Sequence, residues 1–474
     1  MFMSTRFEGI GHFKADPINW CGTHDTVDPL RTEGVRHNAH PRAEATLDTS
    51  ADSIRALVRD GEVHSSVYTD EDVFRLEMDR LFHSSWLFVG HESQIAQPGD
   101  YITGRLGATP VVCVRSEEGA IHVFVNRCPH RGAQVCLGSG GNTTRLVCPY
   151  HGWTFDLRGQ ISWIPLREEY AQAACDRLAG LERVGASETY RGFIFACLKK
   201  PSSPLGEFLG HFKTVIDDLV DRAPGGSVRA IPHLIRHKYQ ANWKLTFENL
   251  NDTLHARVAH NAGAHAARTV HLSLEEGRTN PILGMMIANA KPLSAFQELT
   301  LVTEVGGHSY FGAHMPTGYG EAQSTYAQAL ARAKGAEEAR RILGVERHVA
   351  ILYPGSSWHA RYQTVRIIQP LAPDLTEVIG FVFQLEGAPD AVLHSALDYC
   401  NGSTSAFSTI ITDDLEIYEG IQRSARDAPA WLQISRQYEP RSREPGTGSY
   451  PATSEAYIRN QYVKWVDAMT ESAQ

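Results

Sequence analysis

The amino-acid sequence predicts an α+β protein in which a β-rich domain precedes a larger domain with an antiparallel sheet flanked by helices. Three features indicate this class. An amphipathic helical pattern comes first, short strand-like runs broken by turn residues follow, and helical and strand-like segments then alternate to the C-terminus. The 474 residues suffice for one large or two moderate domains, and 42% hydrophobic residues can form a substantial core.

These changes of pattern predict three segments. Residues 1–85 form an N-terminal helical segment that packs on the larger domain, 86–199 form the β-rich domain, and 205–474 form the larger domain. The turn-forming sequence "PSSP" at 201–204 marks the boundary between the last two. The first helix lies in "TDEDVFRLEMDRLFH", where Thr69 can cap the start and apolar residues then repeat at helical spacing.

The remaining elements follow from periodicity and turn residues. In the β-rich domain, "TPVVCVRSEEGAIHVFVN" predicts a hairpin with "SEEG" as its turn. In the larger domain, "FENLNDTLHARVAH" predicts a helix, or a helix and a turn, and "AQSTYAQALARAKGAEEARRIL" an exposed helix. Two antiparallel strands are predicted in "WHARYQTVRIIQPL" and "TEVIGFVFQLEG", and the amphipathic "SEAYIRNQYVKWVDAM" predicts a closing helix.

Charge and hydropathy exclude several classes of protein. The net charge is −9 with no basic tract, which argues against binding to nucleic acid or to an anionic membrane. The N-terminus lacks a signal-peptide layout, and no apolar run approaches the roughly 18 residues that span a bilayer. The expected location is therefore the cytoplasm.

The eight cysteines are not expected to form disulfides in that reducing compartment. Cys113 and Cys197 lie in strand-like apolar runs and are interpreted as core residues. Three further cysteines have no ligand-type neighbour at a recognisable spacing: Cys21, Cys175 and Cys400. The cysteines left for chemistry are Cys128, Cys136 and Cys148.

Two loops pair a cysteine with a histidine. Cys128-x-His130 and Cys148-x-x-His151 each follow a predicted strand. Two thiolates and two imidazoles suit either tetrahedral zinc or a mixed-ligand [2Fe–2S] cluster. A zinc finger places its cysteines together and its histidines together, whereas here each loop offers one ligand of each kind. The spacing favours the cluster, and a structural zinc site or four unrelated loop residues are the alternatives.

The stretch "NRCPHRGAQVC…CPYHGWTFDLRG" resembles the Rieske motif of aromatic ring-hydroxylating oxygenases, in their large (alpha) subunit. The resemblance implies that Cys128, His130, Cys148 and His151 hold a Rieske [2Fe–2S] cluster. It also implies that the β-rich segment is a Rieske domain and that the larger segment is a catalytic domain with mononuclear Fe(II). Cys136 is interpreted as a packed thiol because the four positions are filled without it.

A second cluster lies in "ENLNDTLHARVAH", which places His255 and His260 near two acids. Non-heme Fe(II) oxygenases bind iron with two histidines and one carboxylate. Five residues of an ideal helix turn a side chain by about 500°, so a bend, a π-bulge or a helix end must separate the two histidines. The segment resembles the family pattern E-N-x-x-D-x-x-H-x4-H, which implies that both are iron ligands. Helix-surface histidines are the alternative.

The third iron ligand is sought in "FSTIITDDLEIYEGIQ". The resemblance implies the second aspartate of the pair, ahead of Glu419 and Gln422, and so selects Asp414. Asp413 is the alternative ligand. An acidic pair could equally stabilise the N-terminus of a helix through the macrodipole, and Asp413 could serve this role while its neighbour binds iron.

The resemblance gives Asp252 a catalytic role between the two centres. Its carboxylate would join His255 to His151 of an adjacent subunit, which implies at least a trimer. Asn249 is a further catalytic candidate, and it lines the iron pocket together with Glu248, for which a plain surface acid is equally plausible. Four residues next to the ligands are expected to shape the substrate pocket: Leu250, Thr253, Ala256 and Ile410.

The function implied is that of a terminal oxygenase in aromatic hydrocarbon catabolism, which uses O2 and electrons from NAD(P)H to hydroxylate an aromatic substrate. Dioxygenation to a cis-dihydrodiol or catechol precursor is favoured, and monooxygenation or oxidative demethylation is the alternative. From other classes, a non-catalytic Rieske electron-transfer or sensor protein and a zinc-stabilised binding protein compete. The chain shows no dinucleotide-binding GxGxxG unit and no plant-type ferredoxin spacing.

Partners are therefore expected. They are a separate reductase with or without a ferredoxin, and either two further copies of this chain or an α3β3 assembly with a small beta subunit. The E-N-x-x-D spacing is the shorter of two family variants and hints at an aromatic acid as substrate. A carboxylate would require a cation, for which Arg361 and Arg366 are candidates, with surface or salt-bridged arginines as the alternative.

Overall fold

A computed structural model describes residues 48–171, 180–272, 281–289, 291–312, 321–345, 347–406, 408, 410–438 and 446–471. Cys21 and Cys175 lie outside these ranges, as does most of the predicted N-terminal segment. The first helix, Ala51–Arg55, begins at Ser50, whose hydroxyl accepts a hydrogen bond from the Ser53 amide.

The predicted amphipathic helix is confirmed over Glu71–Leu76 and continues as a π-helix over Glu77–Phe82. Its cap was predicted one residue too early. Asp70, not Thr69, has the extended backbone that an N-cap needs, and its carboxylate accepts from the amides of Asp72 and Val73 at 2.9 and 3.0 Å. The π-helical turn places Glu77 in the core, where it accepts hydrogen bonds from Trp243, Lys244 and Trp465.

The β-rich segment contains two three-stranded sheets and one four-stranded sheet among the described residues. The predicted hairpin is confirmed, with Thr109–Arg115 antiparallel to Ile121–Val125 and a turn closed by the Ser116 amide on the Ala120 carbonyl. The strands are Leu87–His91, Asp100–Leu106, Thr109–Arg115, Ile121–Val125, Gly140–Asn142, Leu146–Val147, Thr154–Phe155, Ile161–Trp163, Ala186–Tyr190 and Phe193–Cys197.

An antiparallel sheet of eight strands forms the centre of the larger segment. Its spatial order is Val228–Tyr239, Leu375–Leu385, Thr364–Ala372, Ser356–His359, His348–Leu352, His308–Phe311, Thr300–Glu304 and Gly448–Pro451. The stretch "WHARYQTVRIIQPL" was predicted as one strand and forms two, because residues 360–363 turn and Gln363 adopts a φ of +48°. Arg361 lies in this turn, whereas Arg366 lies on the second strand.

Both faces of the eight-stranded sheet are covered. On one face, Val365 and Phe381 pack with Phe88 and Phe195 of the β-rich segment. On the other face, Ile368 and Val378 pack with side chains of the last two long helices. Because both of its faces are covered, the strand Leu375–Leu385 is buried at nine of its eleven positions rather than at alternate ones.

Helices of the larger segment pack on both faces of the sheet, with Leu219 in the first core and Tyr418 in the second. The segment "AQSTYAQALARAKGAEEARRIL" was predicted as one helix and forms two, because Gly335 between them adopts a φ of +91°. The closing amphipathic helix is confirmed. The α-helices are Leu205–Leu209, Lys213–Asp221, Trp243–Leu250, Thr253–Ala259, Asn261–Leu272, Pro281–Asn289, Leu293–Gln297, Glu321–Lys334, Ala336–Gly344, Asp390–Thr404, Ile411–Asp427 and Ala456–Thr470.

Smaller elements join the two ends of the described chain. Trp431–Gln433 pairs with Glu62–His64, which in turn pairs with Val58–Arg59. Short 3-10 helices occupy Ser65–Tyr68, Glu92–Ile95, Arg167–Glu169 and Gly210–Phe212. Within the described ranges, none of the helices combines the length and apolarity needed to cross a membrane.

Candidate metal centres

Two loops with the same backbone hydrogen bonds carry the cysteine–histidine pairs. In the first, the Cys128 amide donates to the Ala133 carbonyl and the Gly132 amide donates to the Cys128 carbonyl, at 2.8 and 2.9 Å. In the second, the Cys148 amide donates to Trp153 and the Gly152 amide to Cys148, at 2.8 and 3.0 Å. Both glycines have a positive φ, +75° and +71°, which closes each loop tightly.

The donor groups of these loops fit a mixed-ligand cluster. Cys128 and Cys148 are both only 2% exposed, and the rings of His130 and His151 lie 4.6 Å apart between centroids. The Nδ1 atoms of both histidines are buried and have no hydrogen-bond partner among the described residues. Burial raises the pKa of Cys128 to about 11, so its thiol needs a metal cation to ionise at neutral pH.

The surroundings hold these loops in place. The Asn126 carboxamide accepts from the amides of Val135 and Cys136, both at 2.9 Å, and donates to the Cys136 carbonyl at 2.7 Å. Trp153 stacks on His130 with centroids 4.9 Å apart and rings 1° from parallel. The Cys136 side chain belongs to the apolar core of this segment, consistent with its interpretation as a packed thiol.

The second cluster depends on two breaks in the helical path. Trp243–Leu250 ends before Asn251, and Asp252 begins Thr253–Ala259 by accepting from the amides of Leu254 and His255, at 2.7 and 3.4 Å. This helix ends at His260, whose φ of −96° and ψ of 15° depart from the helical values. The structure therefore provides the helix end that the five-residue spacing requires.

Three predicted side chains converge at this end. Among the described residues, His255, His260 and Asp414 form the one group of ligand-type side chains whose donor atoms all lie within 4.8 Å of one another. The Asp414 Oδ1 atom lies 3.6 Å from Nε2 of His255 and 3.3 Å from Nε2 of His260. Two imidazoles and one carboxylate converging on one point fit the ligand set of a mononuclear Fe(II).

The electrostatics of the two histidines differ. Burial lowers the pKa of His255, although the nearby Asp414 carboxylate opposes this shift. Burial also disfavours the charged form of His260, but hydrogen bonds and charges of Asp414 and Asp413 outweigh it and raise the pKa. Neutral imidazole is the form that binds a metal.

The two aspartates take different places around His260. Asp414 faces Nε2, whereas Asp413 contacts the opposite ring nitrogen, Nδ1, at 3.2 Å. The Asn249 carboxamide donates to Asp414 Oδ1 at 3.2 Å, so this catalytic candidate reaches the proposed ligand. Both aspartates lie in the first turn of Ile411–Asp427, where acids favour the helix macrodipole, although no side chain caps this helix at Ile410.

Glu248 is not a plain surface acid, and this alternative was wrong. Its carboxylate accepts hydrogen bonds from the hydroxyls of two buried tyrosines, Tyr68 at 3.0 Å and Tyr462 at 2.8 Å. Burial raises the pKa of Glu248 to about 7, although the tyrosine hydrogen bonds and Lys244 oppose the shift. Tyr457 donates to its backbone carbonyl. These contacts stabilise the helix from which Asn249 reaches Asp414.

Asp252 has a partner that its sequence neighbours do not indicate. Besides capping the helix of His255, its Oδ1 lies 3.3 Å from a terminal nitrogen of Arg436. Glu455 holds the same guanidinium nitrogen at 3.5 Å. Nδ1 of His255 is buried without a hydrogen-bond partner among the described residues. The contact of Asp252 with His151 of another subunit stays a prediction.

The four predicted pocket residues lie in different environments. Leu250 and Ala256 are partly exposed near the ligands, and Ile410 packs with Ala267 and Met286. The Thr253 hydroxyl instead donates to the Ala452 carbonyl at 2.9 Å and is buried. Sequence reasoning missed Arg436, Tyr68 and Tyr462, because each reaches the site from a distant segment.

Comparison with known proteins agrees with this architecture. The family model of the Rieske [2Fe-2S] domain matches residues 85–178. The family model of the ring hydroxylating alpha subunit (catalytic domain) matches residues 227–472, and this match alone covers more than half of the chain. Benzene 1,2-dioxygenase subunit alpha of Pseudomonas putida is 31% identical over 430 residues, which cover 86% of this chain and 91% of that protein. The N,N-dimethyl phenylurea N-demethylase subunit alpha of Sphingobium sp. (strain YBL2) is 29% identical over 461 residues, which cover 90% of this chain and 96% of that protein.

Solved structures show the same fold. Naphthalene 1,2-dioxygenase with indole bound has a TM-score of 0.72 at 22% identity, covering 88% of this chain and 94% of that one. A quaternary ammonium Rieske monooxygenase has a TM-score of 0.60 at 18% identity, covering 87% of this chain and 96% of that one. These likenesses confirm the predicted fold class.

A Rieske domain followed by a catalytic domain with a two-histidine, one-carboxylate cluster defines the class of Rieske non-heme iron oxygenases. Within that class, the chain belongs to the ring-hydroxylating oxygenase alpha subunits. Its cofactors are a Rieske [2Fe–2S] cluster and a mononuclear iron. The predictions of family, cofactors and aromatic ring hydroxylation are thereby confirmed.

Proposed function

We propose that this chain is the catalytic subunit of a dioxygenase, which places both atoms of O2 on one aromatic ring to give a cis-dihydrodiol. The convergence of His255, His260 and Asp414 on one point is the main support for an iron-dependent oxygenase, and the relatives favour dioxygenation among its possible reactions. His255 keeps 23% of its side chain exposed while the other two are nearly buried, so one side of the triad stays open. Dioxygenases among the relatives, acting on benzene, chlorobenzene and biphenyl, give further support.

Each site residue has a proposed task. Cys128, Cys148, His130 and His151 hold the cluster, and His255, His260 and Asp414 hold the iron. When bound, the cluster supplies single electrons and the iron supplies dioxygen activation. Asn249 orients the Asp414 carboxylate, Asp413 orients the His260 ring through Nδ1, and Asp252 connects the two centres.

The assembly is proposed to contain three copies of this chain, with or without a small beta subunit. Of the ten large apolar side chains that are exposed among the described residues, five lie around the cluster loops: Leu137, Val147, Tyr150, Trp163 and Leu166. Such a patch is typical of a surface that another subunit covers. A separate reductase, with or without a ferredoxin, would deliver electrons derived from NAD(P)H, and the expected compartment remains the cytoplasm.

Oxidative demethylation is the second candidate. It is favoured by the N-demethylase subunit, which covers 90% of this chain. Both reactions can use the same iron ligands, so the triad does not separate them.

Turnover in ¹⁸O2, read by mass spectrometry, separates these reactions. The substrates are benzene, benzoate and an N,N-dimethyl phenylurea, with a surrogate reductase and both metal sites shown to be full. Two labelled oxygens in one ring product are expected. One labelled oxygen, or loss of a methyl group, would move the function to monooxygenation or demethylation. If none of the three substrates gave a labelled product, this result would contradict the oxygenase function.

A further inference from the structure

Two polar side chains lie on the face of the eight-stranded sheet that is turned towards the iron-ligand helix. His237 pairs with Val378, Val378 pairs with Ile368, and Arg366, two residues before Ile368, shares its face. Tyr239 shares this face as well. Its ring lies 5.4 Å from that of Tyr418, one turn after Asp414 on Ile411–Asp427. Arg366 and His237 therefore lie on the sheet face that packs against the helix of Asp414.

Arg366 lacks a carboxylate partner among the described residues. Its one hydrogen bond there runs from Nε to the Ser357 hydroxyl at 3.1 Å. Burial raises the pKa of three groups on the covering helices, Tyr399, Cys400 and Tyr418. The positive charge of Arg366 opposes each of these shifts. The side chain of Arg366 is partly exposed, and its charge faces these buried groups without a carboxylate partner in the described part of the chain, so it would attract an incoming anion.

His237 provides an independent observation. It is 8% exposed, and both ring nitrogens are buried without a hydrogen-bond partner among the described residues. Burial, assisted by the charge of Arg366, lowers its pKa to about 4, so the ring is neutral at neutral pH. A buried polar group without a partner in a native protein requires an explanation, and a ligand atom is one.

Glu377, the nearest acid along the sheet, cannot act as a carboxylate partner for Arg366 and His237. Glu377 is adjacent to Val378 in sequence, so its side chain lies on the opposite face. There it is 3.9 Å from Arg236 and from Lys238. The sheet therefore separates an ion-paired face from a face on which Arg366 and His237 have no acidic counterpart among the described residues.

We propose that Arg366 and His237 form an anion-binding subsite at the end of the substrate pocket, which selects an aromatic carboxylate. This inference rests on the proposed oxygenase function and names its substrate class. The planar guanidinium can bind both carboxylate oxygens, and the neutral imidazole can donate its single N–H to one of them. The aromatic ring of the bound acid then extends from this subsite towards His255, His260 and Asp414.

The test compares benzoate with benzamide and benzene, which share the ring but lack the negative charge. Variants are R366M, R366K and H237L. The matched control is R236M, which removes an arginine one residue from His237 on the opposite face of the sheet. Binding is measured by calorimetry on the oxidised, iron-loaded protein, and KM and kcat by product formation with a surrogate reductase.

The expected result is a preference for benzoate, with a rise in KM of at least about 100-fold in R366M and about 10-fold in H237L. The kcat should change much less, R366K should recover part of the loss, and R236M should match the wild type. Benzenesulfonate binding as well as benzoate would show that the subsite recognises the charge rather than the carboxylate, and would overturn the selection of a carboxylate.

The outcomes separate this inference from the proposed function. Turnover of benzene or benzamide without any preference for benzoate would overturn the subsite and leave the oxygenase function intact. If no substrate were turned over, the oxygenase function would fail. Benzoate binding that is lost in R366M and kept in R236M would still support the subsite in that case, and equal binding in both would overturn it.

Discussion

Asp413 and Asp414 are chemically identical neighbours that differ in burial and direction. The Asp414 side chain is 6% exposed and faces both proposed iron-ligand histidines, whereas that of Asp413 is 40% exposed and contacts the far nitrogen of His260. Position in the helix, rather than residue type, therefore supports the proposed ligand role of Asp414 and the proposed positioning role of Asp413.

Substitution of each aspartate by asparagine tests this difference. D414N should lose most of the mononuclear iron and all product formation, because a carboxamide is a poor ligand for Fe(II). D413N should keep its iron and lose activity about 10-fold, as expected for a group that orients a metal ligand. Iron content and the visible spectrum of the reducible cluster are the measurements. Iron loss in D413N but not in D414N would contradict the assignment.

Glu248 makes a prediction about stability and pH. Its pKa is raised by burial to about 7 from an ordinary value of 4.5, so the folded state holds a proton that the unfolded state has released between these values. The free energy of unfolding should therefore fall as the pH rises from about 4.5 to 7, by on the order of 3 kcal/mol.

The E248Q variant removes this titration while keeping an oxygen acceptor for Tyr68 and Tyr462. Urea unfolding at pH 5.5 and 7.5, followed by tryptophan fluorescence, should show a smaller pH dependence in E248Q than in the wild type. An unchanged pH dependence would mean that Glu248 is not the group responsible.

The residue types of both clusters could be predicted from spacing, but their partners could not. Cys128, His130, Cys148 and His151 fall within 24 positions of sequence, and their loops place them together. Arg436 lies far from Asp252 in the sequence, and His237 far from Arg366, and no local pattern marks either pair. Their proximity depends on sheet register and on helix packing, which only the folded chain defines.

At the scale of elements, the two cluster loops depend on glycine. Gly132 and Gly152 have positive φ values, and nothing lies within 4 Å of a Cβ built on Gly132. G132A would therefore strain the backbone without a steric clash, at about 1–2 kcal/mol.

We expect G132A to hold its cluster less firmly than the wild type. The control is G138A, at a glycine in the same segment that lacks a positive φ and has only ordinary contacts, the shortest of 3.7 Å. The absorbance of the cluster during heating, and the acid-labile sulfide of the purified protein, report its retention. Equal losses in the two variants would exclude backbone strain as the cause.

Predicted elements succeeded where the signal is local. The hairpin, the first amphipathic helix, the closing helix and the helix end near His260 are all confirmed. The helix break at Gly335 was missed because helix-forming residues on both sides continue the pattern. The strand order of the large sheet was beyond prediction, since Thr300–Glu304 pairs with Gly448–Pro451 across nearly 150 residues.

On the scale of the whole molecule, the exposed apolar side chains around the cluster loops predict an interface. A glutamate within a covered apolar surface is costly, so W163E should shift the assembly towards monomers. The control is V305E, which introduces the same charge at an exposed valine outside the patch. Light scattering after size-exclusion chromatography measures the mass. An unchanged mass for W163E would contradict the interface.

The central claim is that the cluster and the mononuclear iron act as one enzyme, and a single turnover tests it most directly. The protein is reduced, freed of reductant and mixed with substrate and O2, and both the cluster absorbance and the product are followed in wild type and in H255A. The account predicts that the wild-type cluster is oxidised as hydroxylated product forms, whereas the H255A cluster stays reduced and no product appears. Product from H255A at the wild-type yield, or wild-type cluster oxidation without any product, would contradict it.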